Sequence, residues 1–237
     1  MEPFFAAFFF QANTVKGFEA WDKAGFIANA HRERFQNVIY GPLGLILSKP
    51  TDAQDHLLEM RVDPQIIHLT FSAETAWDDV IREAARRTEW ITRAISVTTF
   101  SRLGLRLYLV WPASTKIAAG HLARACIYGE SESRWSGLGV IGNSELTIEA
   151  EADTLKLKLS LKAVERAQAD PQDPDAVSAD WIFRNTRFPE YGVMMDADVY
   201  SIRTRSSVDV QSFLRSCRDY ITDRIIPLGQ QIREELG

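Results

Sequence analysis

The stretch Ser96–Trp111, SVTTFSRLGLRLYLVW, alternates with a period of two along its whole length. Val97, Thr99, Ser101, Leu103, Leu105, Leu107, Leu109 and Trp111 fall on one face, and Thr98, Phe100, Arg102, Gly104, Arg106, Tyr108 and Val110 on the other. As a strand it would span roughly 50 Å, well beyond ordinary strand length, which predicts a bend or bulge near Gly104. The second face mixes two arginines with aromatics. A partner strand must therefore answer those charges.

Outward from this strand, the N-terminal side begins with Pro3–Gln11. Phe4, Phe5, Phe8, Phe9 and Phe10 put aromatics on both faces, the pattern of a strand that meets no water on either. Asn13 and Thr14 offer caps for a helix over Val15–Arg34, with Phe18, Trp21, Ala28 and His31 on one side. Phe35–Ser48 reads as a strand broken at Gly41-Pro42. His56–Val62 and Gln65–Phe71 read as a hairpin about Asp63-Pro64. Glu74–Ile95 is an amphipathic helix, with Trp77, Ile81, Ala84, Thr88, Ile91 and Ile95 as its apolar stripe. Arg82, Arg86, Arg87 and Arg93 lie off that stripe among Asp78, Asp79, Glu83 and Glu89, which predicts a solvated, salt-bridged face rather than a nucleic-acid surface.

The C-terminal side repeats this order. Ser114 or Thr115 can cap a helix to about Ile127, with Ile117, His121, Leu122 and Ala125 on one side. Trp135–Ile141 is a Gly-rich strand followed by a Gly142-Asn143 turn, after the polar run Glu130–Trp135. Leu146–Ala152 and Leu155–Leu161 form a second hairpin, and a 90-residue shift superposes its turn residue Asp153 on Asp63. Lys162–Asp180 is an acidic, Pro-containing loop with Trp181 and Phe183 at its far end. Met194–Thr204 is a strand carrying Asp196, Asp198 and Tyr200 on one face. A final helix from Ser207 or Asp209 has Val210, Phe213, Leu214, Cys217, Ile221, Ile225, Leu228 and Ile232 as its stripe, with a kink expected at Pro227.

Each half thus reads strand, helix, antiparallel strands, long helix. The order resembles the duplicated helix-grip or TATA-binding-protein-like architecture, a curved sheet wrapped on long helices. The expectation is an α+β chain of two pseudo-symmetric repeats, residues 1–95 and 96–237, the second carrying the acidic loop near 163–180. In such a sheet the leading strand of each repeat lies centrally, beside the strand before the last helix. Arg102 and Arg106 would then face Asp196, Asp198 and Tyr200. RLGLRL (Arg102–Leu107), MDADVY (Met195–Tyr200) and the closing FLRSCRDYITDRIIPLGQQIREE further resemble a sporadically distributed family of uncharacterised bacterial proteins. The asparagine that ends the arginine strand in that pattern is absent here, and Leu109 and Val110 stand nearby. The resemblance implies architecture and no catalytic residues. The family's patchy occurrence is similar to that of phage-defence or toxin–antitoxin genes.

Composition bounds the function classes. Over 237 residues, 46% hydrophobic and 25% charged is ordinary globular usage, and a net charge of −5 with both signs interspersed gives a nucleic-acid partner no footing. Cys126 and Cys217 make no CxxC or zinc spacing and read as reduced, structural thiols. MEPFFAAFFF has no basic n-region and is too short to span a bilayer, so the expectation is a cytoplasmic protein with no membrane partner. His31, His56, His68 and His121 form no metal motif, and no phosphate-binding glycine loop or nucleophile elbow occurs. No cofactor, metal or catalytic residue is assigned. The candidate ligand-binding set is Arg102, Arg106, Tyr108, Asp196, Asp198 and Tyr200. Asp196 and Asp198, two apart on a strand, would suit charge balance with the arginines, or else a metal or a general acid/base pair. The leading reading is a non-catalytic binding or regulatory protein that offers a curved sheet or pocket to a protein or small-molecule partner, or to a second copy. The alternatives are a subunit of a defence or toxin–antitoxin-type complex, and an enzyme built on the arginine–carboxylate site.

Overall fold

The structure, a computed structural model, describes residues 5–14, 19–41, 44–49, 57–72, 75–128, 145–152, 154–166, 189–201, 203, 205–206 and 209–236. Its strands are β1 (Phe5–Thr14), β2 (Asn37–Gly41), β3 (Gly44–Ser48), β4 (Leu57–Val62), β5 (Ile66–Ser72), β6 (Thr99–Ala113), β7 (Glu145–Ala152), β8 (Leu155–Glu165), β9 (Tyr191–Ser201) and β10 (Arg205–Ser206). The helices are α1 (Glu19–His31), α2 (Trp77–Ala94), α3 (Lys116–Tyr128) and α4 (Val210–Tyr220). The last runs through a π-helical turn (Ile221–Ile225) into α5 (Ile226–Leu236). The strands form one antiparallel sheet in the order β2-β3-β4-β5-β1-β6-β9-β8-β7, with β10 paired to β6.

The phenylalanine-rich β1 lies centrally, between β5 and β6, and Phe8, Phe9 and Phe10 are all buried. One face of the sheet is the core. Met60, Leu69, Phe10, Leu105, Val199 and Leu157 stand opposite one another across six strands, and none is more than 8% exposed. Helical side chains close over this face: Ala24 and Ile27 of α1, Ala84 and Ile91 of α2, Ala123 of α3, Phe213 and Leu214 of α4. The driving force is apolar burial, about 25 cal/mol per Å² removed from water.

The long strand bends at a different place from the one its glycine predicts. The ladder with β1 slips between Asn13 and Thr14, pairing Asn13 with Arg102 and Thr14 with Phe100, so Ser101 is the extra residue. Beyond this bulge the alternation inverts. Phe100, expected beside the arginines, is fully buried in the core, and Ser101 is exposed. Gly104 stays in register with Gln11 and Tyr200. The strand starts three residues late because Ser96, at φ 53°, turns the chain out of α2.

Other expectations change for local reasons. Asn13 and Thr14 belong to β1 rather than capping a helix: the Thr14 hydroxyl donates to the carbonyl of Pro64 (2.8 Å). On α1 the buried stripe is Ala20, Ala24, Ile27 and His31. On α3 the buried residues are Ala119, Ala123 and Arg124; of the expected side, Leu122 packs partly buried against the core while Ile117 is 74% exposed and His121 and Ala125 lie outside, because small side chains let this helix approach the sheet. Thr115 does cap α3, its Oγ1 accepting from the Ala118 amide (3.1 Å). Lys162–Glu165, expected in the loop, extend β8.

Arg87, assigned to a solvated face, is 4% exposed. It bonds Glu83 through Nε and Nη2 (2.9 and 2.8 Å), and its Nη1 lies 2.7 Å from Nδ1 of the buried His31. At Pro227 the missing donor and the crowded carbonyl are absorbed by the π turn, whose closing bond runs from the Ile226 amide to Ile221. Neither Cys126 nor Cys217 is in a disulfide. Phe4, Phe18, Glu130–Gly142, Asn143, Asp153, residues 167–180, Trp181 and Phe183 lie outside the described residues, as does His56.

The β2–β3 hairpin depends on Gly44. Its φ is 103°, and a Cβ there would sit 2.5 Å from the Val62 carbonyl oxygen and 2.7 Å from the Asp63 Cβ. Gly44→Ala is expected to cost about 1–3 kcal/mol, measured by urea unfolding. A variant as stable as the parent would refute the strained-turn account.

Candidate functional site

Opposite the core, the second face of the central strands carries the six residues predicted for a site. The register fixes their placement: Arg106 stands opposite Asp198, Tyr108 opposite Asp196, and Gly104 opposite Tyr200. The ion pairs run diagonally. Arg106 donates from Nε to Asp196 Oδ1 (2.6 Å) and from Nη2 to Asp196 Oδ2, a two-pronged fork, while Arg102 Nη2 donates to Asp198 Oδ2 (2.6 Å). Each guanidinium also lies over a ring, Arg102 over Tyr200 at 4.6 Å and Arg106 over Tyr108 at 4.9 Å. Gly104 leaves room for this packing: a Cβ there would lie 3.3 Å from both Arg102 Nη1 and Asp198 Oδ1.

Burial sets the electrostatics. It pushes the Tyr108 hydroxyl up to about 12, with the Asp196 charge adding to the shift. It raises Asp198 as well, although Arg102 and Arg106 pull the other way. For Arg106, burial opposes the charge, but the hydrogen bond to Asp196 and the surrounding negative groups outweigh it and raise its pKa. Neutral Tyr108 and charged Arg106 therefore coexist across the ordinary pH range.

The same face continues onto β4 and β5 with residues the sequence reading did not select. Phe9 stacks on His68 (centroids 5.8 Å, planes 4° apart) and tilts against Tyr108 (4.8 Å). Burial lowers His68 to about 4, helped by Arg61 and Arg106. Glu59, 3% exposed, is raised to about 7 by burial, with Arg61 opposing. The alternation in His56–Val62 already put Glu59 and Arg61 on one face. What it could not show was that this face is also buried.

Glu59 makes a pH prediction. Its folded pKa lies above the unfolded value, so its contribution is fully present below about pH 4.5 and is lost as pH rises through about 7. Glu59→Gln removes that loss. The difference in melting temperature, variant minus parent, should grow from pH 4.5 to 7.5 and then level off. A pH-independent difference would contradict the burial cost.

The structure brings Arg102, Arg106, Tyr108, Asp196, Asp198 and Tyr200 together. Both carboxylates are already bonded to guanidinium groups, the arrangement of charge balance. Among the described residues no group of three or more His, Cys, Asp or Glu is placed to hold a metal ion. No helix among them is long and apolar enough to cross a membrane. Comparison of the chain with family models, with curated proteins and with solved structures returns no match.

Proposed function

We propose that this chain is a non-catalytic binding protein, and that the second face of β6 and β9 receives its protein or small-molecule partner. One observation carries this reading. The Arg106 side chain is 44% exposed while that of its counter-ion Asp196 is 8% exposed, so the pair turns its positive end outward and sinks its negative end. With Nε and Nη2 committed to Asp196, Arg106 keeps Nη1 for a carboxylate or carbonyl of a partner. Tyr108 and Arg102 flank it. Binding is favoured over catalysis because a carboxylate held by a guanidinium is a weak general base.

The platform for this face, in our reading, is a duplication of a helix-grip-like unit, residues 1–95 and 96–237. The strand order supports it: outward from the β1–β6 pair, the leading strand of each half lies next to its last long strand, β5 or β9. On this reading, the two halves expressed separately should aggregate, and co-expression should restore a soluble complex through β1–β6 pairing. Soluble, folded halves would count against it.

The binding reading is tested with Arg106→Gln/Asp196→Asn, which removes both charges together and so keeps the fold. Affinity capture from the native host, quantified against the parent, should lose a specific partner with the double variant. Identical recovery with a folded double variant would exclude this face as the contact.

A further inference from the structure

One end of the sheet is β2, which pairs with β3 alone among the described strands. Alternate residues of such an edge direct their N–H and C=O groups away from the sheet, where another strand can meet them. Of the six large hydrophobic side chains exposed among the described residues, three stand here in a row: Val38 at 49%, Ile39 at 42% and Tyr40 at 57%. Val38 and Tyr40 pair with Leu47 and Leu45 of the core cluster and so face the helical side, whereas Ile39 faces the other. Both faces of this edge are apolar and open to water.

Nothing along the strand discourages pairing. Natural edges are blunted by charge, proline or a bulge. Asn37–Gly41 has none of these, and its register with β3 runs unbroken from Asn37 opposite Ser48 to Gly41 opposite Gly44. β7, at the other end, is built the opposite way: Glu145, Glu149 and Glu151 stand exposed along it and repel a strand of their own kind. Tyr40 is also held in place by α1. Its hydroxyl donates to the Trp21 carbonyl (3.3 Å), and its ring lies edge-on to the Trp21 indole (centroids 6.0 Å).

We propose that β2 pairs with β2 of a second copy of this chain, antiparallel about a two-fold axis at Ile39. In that register the strand is its own complement: Val38 stands opposite Tyr40, Ile39 opposite Ile39 and Asn37 opposite Gly41. Charge does not oppose the contact. The chain carries −5, but the exposed charges of α1 and of the segment leading into β2 are Glu19, Asp22 and Glu33 against Lys23, Arg32 and Arg34, and they cancel. Area sets the strength. With roughly 150–250 Å² for a large side chain fully exposed, Val38, Ile39 and Tyr40 present on the order of 250–300 Å² per copy. Twice that falls below the roughly 1,200–2,000 Å² of standard stable interfaces, so the backbone ladder must add to it and the dimer is reversible. Four strands separate β2 from β6 and β9, which leaves the arginine–carboxylate face free in the dimer.

The test is sedimentation velocity of the full chain across the micromolar range, where a reversible monomer–dimer equilibrium is expected. Ile39→Lys sets two like charges face to face at the axis and should weaken the dimer about a hundredfold. Ile39→Glu should do the same. An equimolar mixture of the two variants should recover a dimer, which requires both to be folded and paired in this register. Ile148→Lys, at an isoleucine of equal exposure on the other edge, should dimerise like the parent. A parent that stays monomeric at every concentration overturns the second copy as the occupant of this edge. A dimer indifferent to Ile39→Lys, or a mixture that stays monomeric, overturns β2 as the contact.

Discussion

Phe10→Ala is expected to lower the unfolding free energy by about 3–5 kcal/mol, enough to place a marginally stable chain near its unfolding threshold. Phe10 is fully buried at the middle of the sheet, opposite Leu69 on one side and Leu105 on the other. Its ring lies on the face that the helices close over. Both neighbouring strands are themselves held on their far sides, by β4 and β9, so the cavity left by the ring cannot collapse easily. Phe9→Ala tests the opposite face. Phe9 is 7% exposed and packs on His68 and Tyr108. Its loss should cost less, because polar neighbours there can recruit water into the gap. Urea unfolding of both variants measures the difference. Equal losses would mean that the two faces are equally dry, contrary to the asymmetry described above.

That asymmetry was partly legible in the sequence. Consecutive phenylalanines at 8–10 signalled a strand covered on both faces, and β1 is that strand. The alternation put Arg102, Arg106 and Tyr108 on one face of their strand and Asp196, Asp198 and Tyr200 on one face of theirs, and the helix-grip-like order of elements set the two strands side by side, as β6 and β9 are. A period of two leaves few ways to bury arginines without carboxylates opposite.

What period alone could not supply was phase. One extra residue at Ser101 sends Phe100 to the core and Ser101 outside, and no residue type in SVTTFS marks the slip. Helix faces failed in the same way where small residues carried the packing. On α3 the larger Ile117 drew the reading partly to the wrong side: Leu122 does pack against the core, but the most deeply buried positions are Ala119 and Ala123. Arg87 was hidden for a further reason. Its burial depends on His31, 56 residues away in the chain, and local charge patterning is blind to such a partner.

Arg106→Ala is expected to destabilise the chain by about 2–3 kcal/mol, less than the roughly 3–5 kcal/mol for breaking a fully buried pair, because the guanidinium itself is half-exposed and already partly screened. The larger share of the loss falls on what remains. Asp196, 8% exposed, would be left in a site whose two Arg106 donors have gone, with Asp198 and the ring of Tyr108 as neighbours. Removing both charges removes that penalty. Arg106→Gln/Asp196→Asn should therefore lie within about 1 kcal/mol of the parent, and the cycle completed with Asp196→Asn alone should show strong coupling between the two positions. Chemical denaturation of the four proteins gives the coupling directly. Near-additive losses would mean that the fork contributes little. The outward guanidinium would then be held by its ring contact with Tyr108 rather than by its carboxylate, and Tyr108→Leu, not Asp196→Asn, would be the change that displaces it.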